Sequence, residues 1–325
     1  LNVQKRIFNL QTSEQFNALA LEIFHFQYQQ NSLYRQWVDC LNLKPSEVKE
    51  VDQIPFLPIE LWKNHRIQCG SKPAEVVFKS SGTGNGQRST HYVTEARLYE
   101  QSFQKGFAHF YGDISDYHLL ALLPSYLEQG ESSLVYMAQQ LMQKAQRGSG
   151  FYLNNPSELA QKLQQLKEQG AKVMLLGVSY ALLDFVEQFP LSFPSLTVIE
   201  TGGMKGRRKE LLRAELHSIL KQGFDVPAIH SEYGMTELLS QAYSQGGELF
   251  RCPPWMQIKI RETNDPLAWA LPERTGGINV IDLANVNSCS FIATQDLGKL
   301  HPDGSFEVLG RFDQAEMRGC NLMVG

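Results

Sequence analysis

Apolar positions Phe16, Leu19, Ala20, Ile23 and Phe24 recur at three-to-four spacing, which predicts an amphipathic helix with Ser13 as its cap. Helical texture continues to about residue 50, and its aromatics (Phe24, Phe26, Tyr28, Tyr34, Trp37) suit a layer packed on a larger body. Residues 54–59 hold two prolines, Pro55 and Pro58, and predict an extended connector. Beyond it the texture alternates. Short apolar runs at 75–79, 118–123, 172–177, 196–201 and 228–231 read as strands. Helical patterns at 95–111, 132–147, 156–170 and 209–223 lie between them, the last two closed by Gly170 and Gly223. Strand and helix in turn predict an α/β fold of parallel sheets flanked by helices.

After about residue 245 short alternating segments at 256–261, 277–283, 290–294 and 306–309 predict a β-rich subdomain of antiparallel hairpins, with Pro302-Asp303-Gly304 as a turn. The expected division is an N-terminal helical segment over 1–70, an α/β body over 71–245 and the β-rich subdomain over 246–325. Apolar segments 119–123 and 175–178 suit either core packing or the lining of a pocket.

Composition narrows the classes. Hydrophobic residues make up 42% and charged residues 20% of 325, which is globular rather than disordered. Thirty basic against 34 acidic residues give a net charge of −4, so a nucleic-acid partner is not expected. The basic cluster at 205–209 reads as solvated helix surface. No run approaches the ~20 apolar residues of a membrane span, and the first residues lack the apolar core of a secretory signal. A cytoplasmic protein is the expectation. Five widely spaced cysteines, with no Cys-x-x-Cys pair, argue against a disulfide framework and against a zinc site.

Candidate chemistry gathers in the loops. The first strand runs into Ser80-Ser81-Gly82-Thr83-Gly84-Asn85-Gly86-Gln87-Arg88-Ser89-Thr90. Its glycines permit tight turns and its hydroxyls and Arg88 supply donors, a texture suited to phosphate or to a plain hairpin. In parallel sheets ligands gather at the carboxyl ends of strands, where Ser80, Gly202 and Tyr233 are expected. The final stretch from Gly310 carries Arg311, Asp313, Arg318 and Cys320.

Three ordered segments resemble the adenylate-forming superfamily of acyl-CoA ligases, luciferases and aryl-acid adenylating domains. Ser80-Ser81-Gly82-Thr83-Gly84 is similar to its phosphate loop, and Glu232-Tyr233-Gly234-Met235-Thr236-Glu237 to its Tyr-Gly-x-Thr-Glu signature. Thr294-Gln295-Asp296-Leu297-Gly298 with Gly310-Arg311 is similar to its ribose-binding pair. The resemblance implies an ATP- and Mg²⁺-dependent enzyme that activates a carboxylic acid. It implies that Ser80, Ser81, Gly82, Thr83 and Gly84 hold phosphates, that Thr236 contacts the α-phosphate and that Glu237 coordinates Mg²⁺. Tyr233 and Gly234, with Gly202 and Gly203, would enclose adenine, and Asp296 and Arg311 would hold the ribose.

The loop departs from the family pattern in lacking its lysine, for which Arg88 is a candidate replacement. Only fifteen residues follow Gly310, so the resemblance implies a hinge at Asp313 with the C-terminal lid domain absent. The segment 232–243 and Arg318-Gly319-Cys320 are most similar to the long-chain acyl-protein synthetases of bacterial luminescence systems. That likeness implies a fatty acid as substrate, Cys320 as the thiol that takes the acyl group, and a reductase or acyltransferase subunit as its recipient. A phenylacetate-type acyl-CoA ligase and a non-catalytic nucleotide- or acyl-binding subunit are the alternatives. His230, beside the signature, is either a core histidine or a group facing the adenylate.

Overall fold

The computed structural model describes residues 3–81, 87–124, 130–202 and 211–312. Helices α1 (Val3–Ile7), α2 (Ser13–Gln30) and α3 (Ser32–Cys40) open the chain. Thr12, not Ser13, caps α2, its hydroxyl accepting from the Gln15 N–H. Phe16, Leu19, Ala20, Ile23 and Phe24 are buried as their spacing predicts. Phe24 meets Tyr34 and Phe291 edge-on, which brings α2 against the C-terminal part of the chain. The contact is polar as well: the buried Gln27 amide donates to the carbonyls of Asn285 and Val286 and accepts from the Ser290 N–H.

The extended connector forms β1 (Leu57–Pro58), followed by the short α4 (Leu61–Asn64). Strands β2 (Val76–Lys79) and β3 (Thr90–Val93) then pair antiparallel as a two-stranded ribbon of their own. The strand leading to Ser80 is therefore a hairpin arm, outside the parallel sheet.

The body follows. Helix α5 (Ala96–Tyr111), β4 (His118–Leu122), α6 (Ser133–Met142), β5 (Gly150–Phe151), α7 (Pro156–Glu168) and β6 (Val173–Val178) come in order. They continue with α8 (Ser179–Gln188), β7 (Thr197–Thr201), α9 (Arg213–Phe224), β8 (His230–Tyr233) and β9 (Ala242–Ser244). The sheet order is β5-β4-β6-β7-β8-β9, parallel except for β9. All six residues of β6, and all of β4 after His118, are buried, as in strands covered on both faces. The segments 119–123 and 175–178 are core, and none of their residues lines a cavity described below.

A second sheet holds β10 (Met256–Arg261), β11 (Gly276–Asp282), β12 (Phe291–Leu300) and β13 (Phe306–Arg311). Its order is β1-β12-β11-β10, with β13 also on β12. The ten-residue β12 carries β1 alongside Ile292 and Ala293, and β13 alongside 296–300. Asp296 and Arg311 thereby become cross-strand partners. Among the described residues no helix is long and apolar enough to cross a membrane.

Candidate functional site at the junction of two cavities

Strands β7 and β8 are parallel neighbours, and their carboxyl ends deliver Thr201-Gly202 and Tyr233-Gly234 to one place. Gly202 has φ +65°, a left-handed turn that a side chain would disfavour, and its carbonyl accepts from the Ser179 hydroxyl at 2.6 Å. Gly234 is closely approached by a side chain. A Cβ there would lie 2.4 Å from Oε1 of Glu232.

Two cavities meet at these strand ends. The larger, about 520 Å³, is lined by Lys79, Ser81 and Arg88 from the hairpin and by Gly234, Met235 and Thr236 from the signature. The smaller, about 350 Å³, is lined by Tyr233, Asp296, Gly310 and Arg311. Gly202, Glu232 and Gly234 line both.

The predicted nucleoside residues converge in the smaller cavity. The Tyr233 hydroxyl donates to Oδ2 of Asp296 at 2.8 Å, and the Tyr233 ring packs edge-on against Phe250 and Phe306. The Asp296 N–H donates to the Thr294 hydroxyl, and Arg311 donates to the Gln295 amide oxygen at 2.7 Å. Gly310 has φ +130°, so the backbone entering Arg311 favours glycine.

At the hairpin the Ser80 and Ser89 backbones extend the ribbon by one pair, and the Ser80 hydroxyl accepts from the Ser89 N–H. Arg88 donates to the carbonyls of Ser80 and Lys79, and both Arg88 and Lys79 pair with Glu131. Gly82, Thr83, Gly84, Gly203, Asp313 and Cys320 lie outside the described residues, as does the basic cluster at 205–209.

The signature loop is held from two sides. His91, buried on β3, donates from Nδ1 to the Thr236 carbonyl at 2.8 Å. Burial pulls the His91 imidazole down to about 4, so it is neutral near pH 7. Asp282, fully buried at the end of β11, accepts from the Leu239 and Ser240 N–H groups and from the Ser240 hydroxyl. Glu237 is buried behind Thr236 and lines neither cavity; burial raises its carboxyl, opposed chiefly by the Ser89 hydroxyl and less by the Arg311 guanidinium. Among the described residues no group of three or more His, Cys, Asp or Glu is placed to hold a metal ion by itself.

Glu200 and Glu232 contrast. Burial acts to raise Glu200, but His217, Arg213 and Ser231 together outweigh it and the net shift is downward. Glu232 has no cation beside it among the described residues; its Oε2 accepts from the Thr201 hydroxyl at 2.5 Å. Burial pushes its carboxyl up to about 7. His230 stacks on Tyr111 and lines neither cavity, which is the core-histidine reading.

Sequence reasoning missed β3, and with it His91, although the alternation in Thr90-His91-Tyr92-Val93 was a legible strand signal. Glu232 carries no sequence signal beyond its place as a flank of the signature.

A family model described as "Acyl-protein synthetase, LuxE" matches residues 6–325. No curated protein matches the chain by sequence. Among solved structures the chain is similar to ATP-bound MatB from Rhodopseudomonas palustris at 16% identity and TM-score 0.56, covering 74% of this chain and 49% of that one. It is similar to 2-hydroxyisobutyryl-CoA ligase in the postadenylation state at 13% identity and TM-score 0.70, covering 94% and 69%. MenE from Bacillus subtilis, with ATP and magnesium ion, gives 18% identity and TM-score 0.53, covering 73% and 50%. The chain thus spans about half the length of the MatB and MenE structures and has the fold of their shared portion. By the match over nearly its whole length, the chain belongs to the LuxE acyl-protein synthetase family.

Proposed function

We propose that the protein activates a carboxylic acid with ATP and passes the acyl group to a thiol. The observation that carries this reading is the meeting of the two cavities at Gly202, Glu232 and Gly234. Adenosine occupies the smaller one, with Asp296 accepting from the ribose hydroxyls in place of the Tyr233 hydroxyl it binds now. The phosphates run into the larger one, toward Ser81, Arg88 and the loop at 82–84. The α-phosphorus then lies at the junction, beside Thr236.

A carboxylate oxygen of the acid attacks the α-phosphorus, the bond to the bridging oxygen breaks, and pyrophosphate leaves with that electron pair. Charge builds on phosphate oxygens, where fixed hydroxyl, N–H and guanidinium donors lower the barrier. In the second step a thiolate attacks the acyl carbonyl carbon and AMP departs. A thiolate suits this task because it is nucleophilic near neutral pH and its ester stays activated. Cys320 is the proposed acceptor, with a reductase or acyltransferase subunit downstream.

Mg²⁺ binds with few protein ligands when phosphates complete its shell. Of the two expected donors only Thr236 lines the larger cavity; Glu237, its neighbour in the chain, is buried and lines neither cavity, and would have to turn toward the phosphates to hold the ion. The Glu237 carboxyl is raised by burial, and a divalent cation nearby would favour its ionised form. Bound with the nucleotide, the ion would neutralise charge on the leaving pyrophosphate.

The test is incubation with Mg-ATP and labelled carboxylic acids. Acid-dependent ATP–pyrophosphate exchange is expected, together with a hydroxylamine-labile acyl label on the protein. Cys320→Ser should keep the exchange and lose the label. Exchange absent with every acid tried sinks the reading and leaves a nucleotide-binding subunit. A free CoA thioester with no protein label assigns CoA as the acceptor.

A further inference from the structure

Strand alternation sends Tyr233 to one side of β8 and Glu232 to the other. Tyr233 faces Asp296 and the smaller cavity. Glu232 lies at the junction and lines both cavities; in the larger one Thr201, its hydrogen-bond partner, and Gln241 line the wall with it. Thr201 and Gln241 are both buried, and Gln241 sits so close to Gly234 that a Cβ on the glycine would be 3.3 Å from its Cγ. That wall of the cavity is polar. Its apolar lining among the described residues is confined to Tyr99, Leu134, Met137 and Met235, and the apolar strand interiors of β4 and β6 are sealed away from it.

The two oxygens of Glu232 differ. Oε2 is taken by the Thr201 hydroxyl, whereas Oε1 accepts no hydrogen bond among the described residues and lies against Gly234. Among the described residues no lysine or arginine pairs with it, in contrast to Glu200, which has His217 and Arg213 at 3.6 and 3.9 Å. A carboxyl closed against an alkyl chain would lose its remaining hydration with nothing in return, which is costly. A hydrogen-bond donor on the ligand would remove that cost.

Resting on the acid-activation reading above, we propose that Glu232 is a specificity-determining residue, and that the preferred substrate is a carboxylic acid bearing a hydroxyl or amino group near its carboxyl. Proximity follows from Gly234. The acid's carboxylate must meet the α-phosphorus at the signature loop, and Oε1 of Glu232 is packed against the first glycine of that loop. The donor therefore belongs on the second or third carbon of the acid. Plain alkyl acids are disfavoured, because a site with a polar group left unpaired discriminates strongly.

The test is nucleotide-free titration calorimetry of the full chain with hexanoate and its 2- and 3-hydroxy and 2- and 3-amino derivatives. Wild type should bind at least one substituted acid about tenfold or more tightly than hexanoate, a margin of the size expected for one satisfied buried polar group. Glu232→Leu should lose that preference, and Glu232→Gln should keep the hydroxy acid but lose the amino acid if the donor is an ammonium. Hexanoate binding equally or better, binding of none of the acids, or a preference unchanged in Glu232→Leu overturns the proposal. Because binding is read without ATP, selectivity that survives while pyrophosphate exchange fails overturns only the adenylation reading. Circular dichroism of each variant separates misfolding from lost selectivity, and Glu232→Met, apolar and unbranched, carries the test if the Leu variant does not fold.

Discussion

Glu232 binds a proton more tightly in the folded protein than in the unfolded chain, where a glutamate titrates near 4.3. Between that value and about 7 the folded state holds a proton that the unfolded chain has released. Its stabilising contribution is complete below the unfolded value and is lost as pH rises through about 7. Asp282, raised by burial to about 6, acts with the same sign. His91, lowered to about 4, acts oppositely and costs stability as pH falls below its unfolded value of about 6.5. Comparing variants isolates one term of this sum. The melting temperature of Glu232→Gln should fall less than that of wild type between about pH 5 and about pH 8. Parallel curves for the two proteins would show that Glu232 titrates normally.

Among the elements, β12 and β13 set the end of the site where the proposed function puts the nucleoside. Gly298 lies where a Cβ would come 2.4 Å from the Glu307 carbonyl oxygen and 2.6 Å from Cδ1 of Ile278. The first contact is backbone and cannot yield cheaply, whereas the isoleucine methyl can turn away. Gly298→Ala should push β13 away from β12, and with it Arg311 from its partner Asp296. A several-fold rise in the KM for ATP is expected in pyrophosphate exchange, with a smaller change in the KM for the acid. Equal changes in both would mean that the substitution damages the fold generally. The ribbon β2–β3 plays the matching part on the other side, carrying Ser80 and Ser81 on one arm and, through His91, the Thr236 carbonyl on the other. Removing the imidazole with His91→Ala leaves a carbonyl without its donor, at a cost of about 1–3 kcal/mol in denaturant unfolding. A loss well below that would mean that another donor replaces it.

For the whole molecule, the proposed nucleotide site spans elements from both sheets, so ATP should stabilise the chain as a unit. A ligand at a hundred times its Kd adds about 2.7 kcal/mol. Mg-ATP is expected to raise the melting temperature of wild type and to fail to do so for Asp296→Ala. An undiminished shift in the variant would move the nucleoside away from the smaller cavity. The thiols also divide at this scale. Burial raises the Cys69 thiol to about 12 and pushes Cys252 and Cys289 up as well, so none of the three is expected to compete as an acyl acceptor.

Much of this was legible along the chain, because periodicity is a local property. The buried strands at β4, β6 and β7, helices α2, α5 and α7, and the hairpin texture after residue 245 follow from spacing and turn residues alone. The signature and the segments that resemble a phosphate loop and a ribose-binding pair were legible as ordered motifs. What the sequence could not settle were relations between distant segments. It placed Ser80 in the parallel sheet, whereas β3 pairs with β2 and makes that loop a hairpin tip. It left open whether 119–123 and 175–178 line a pocket, which only burial on both faces decides. Glu232 carried no signal of its own. Its character comes from Thr201 on the neighbouring strand, from Gly234 pressed against it and from the absence of a cation among the described residues, three features that exist only once β7 and β8 lie side by side.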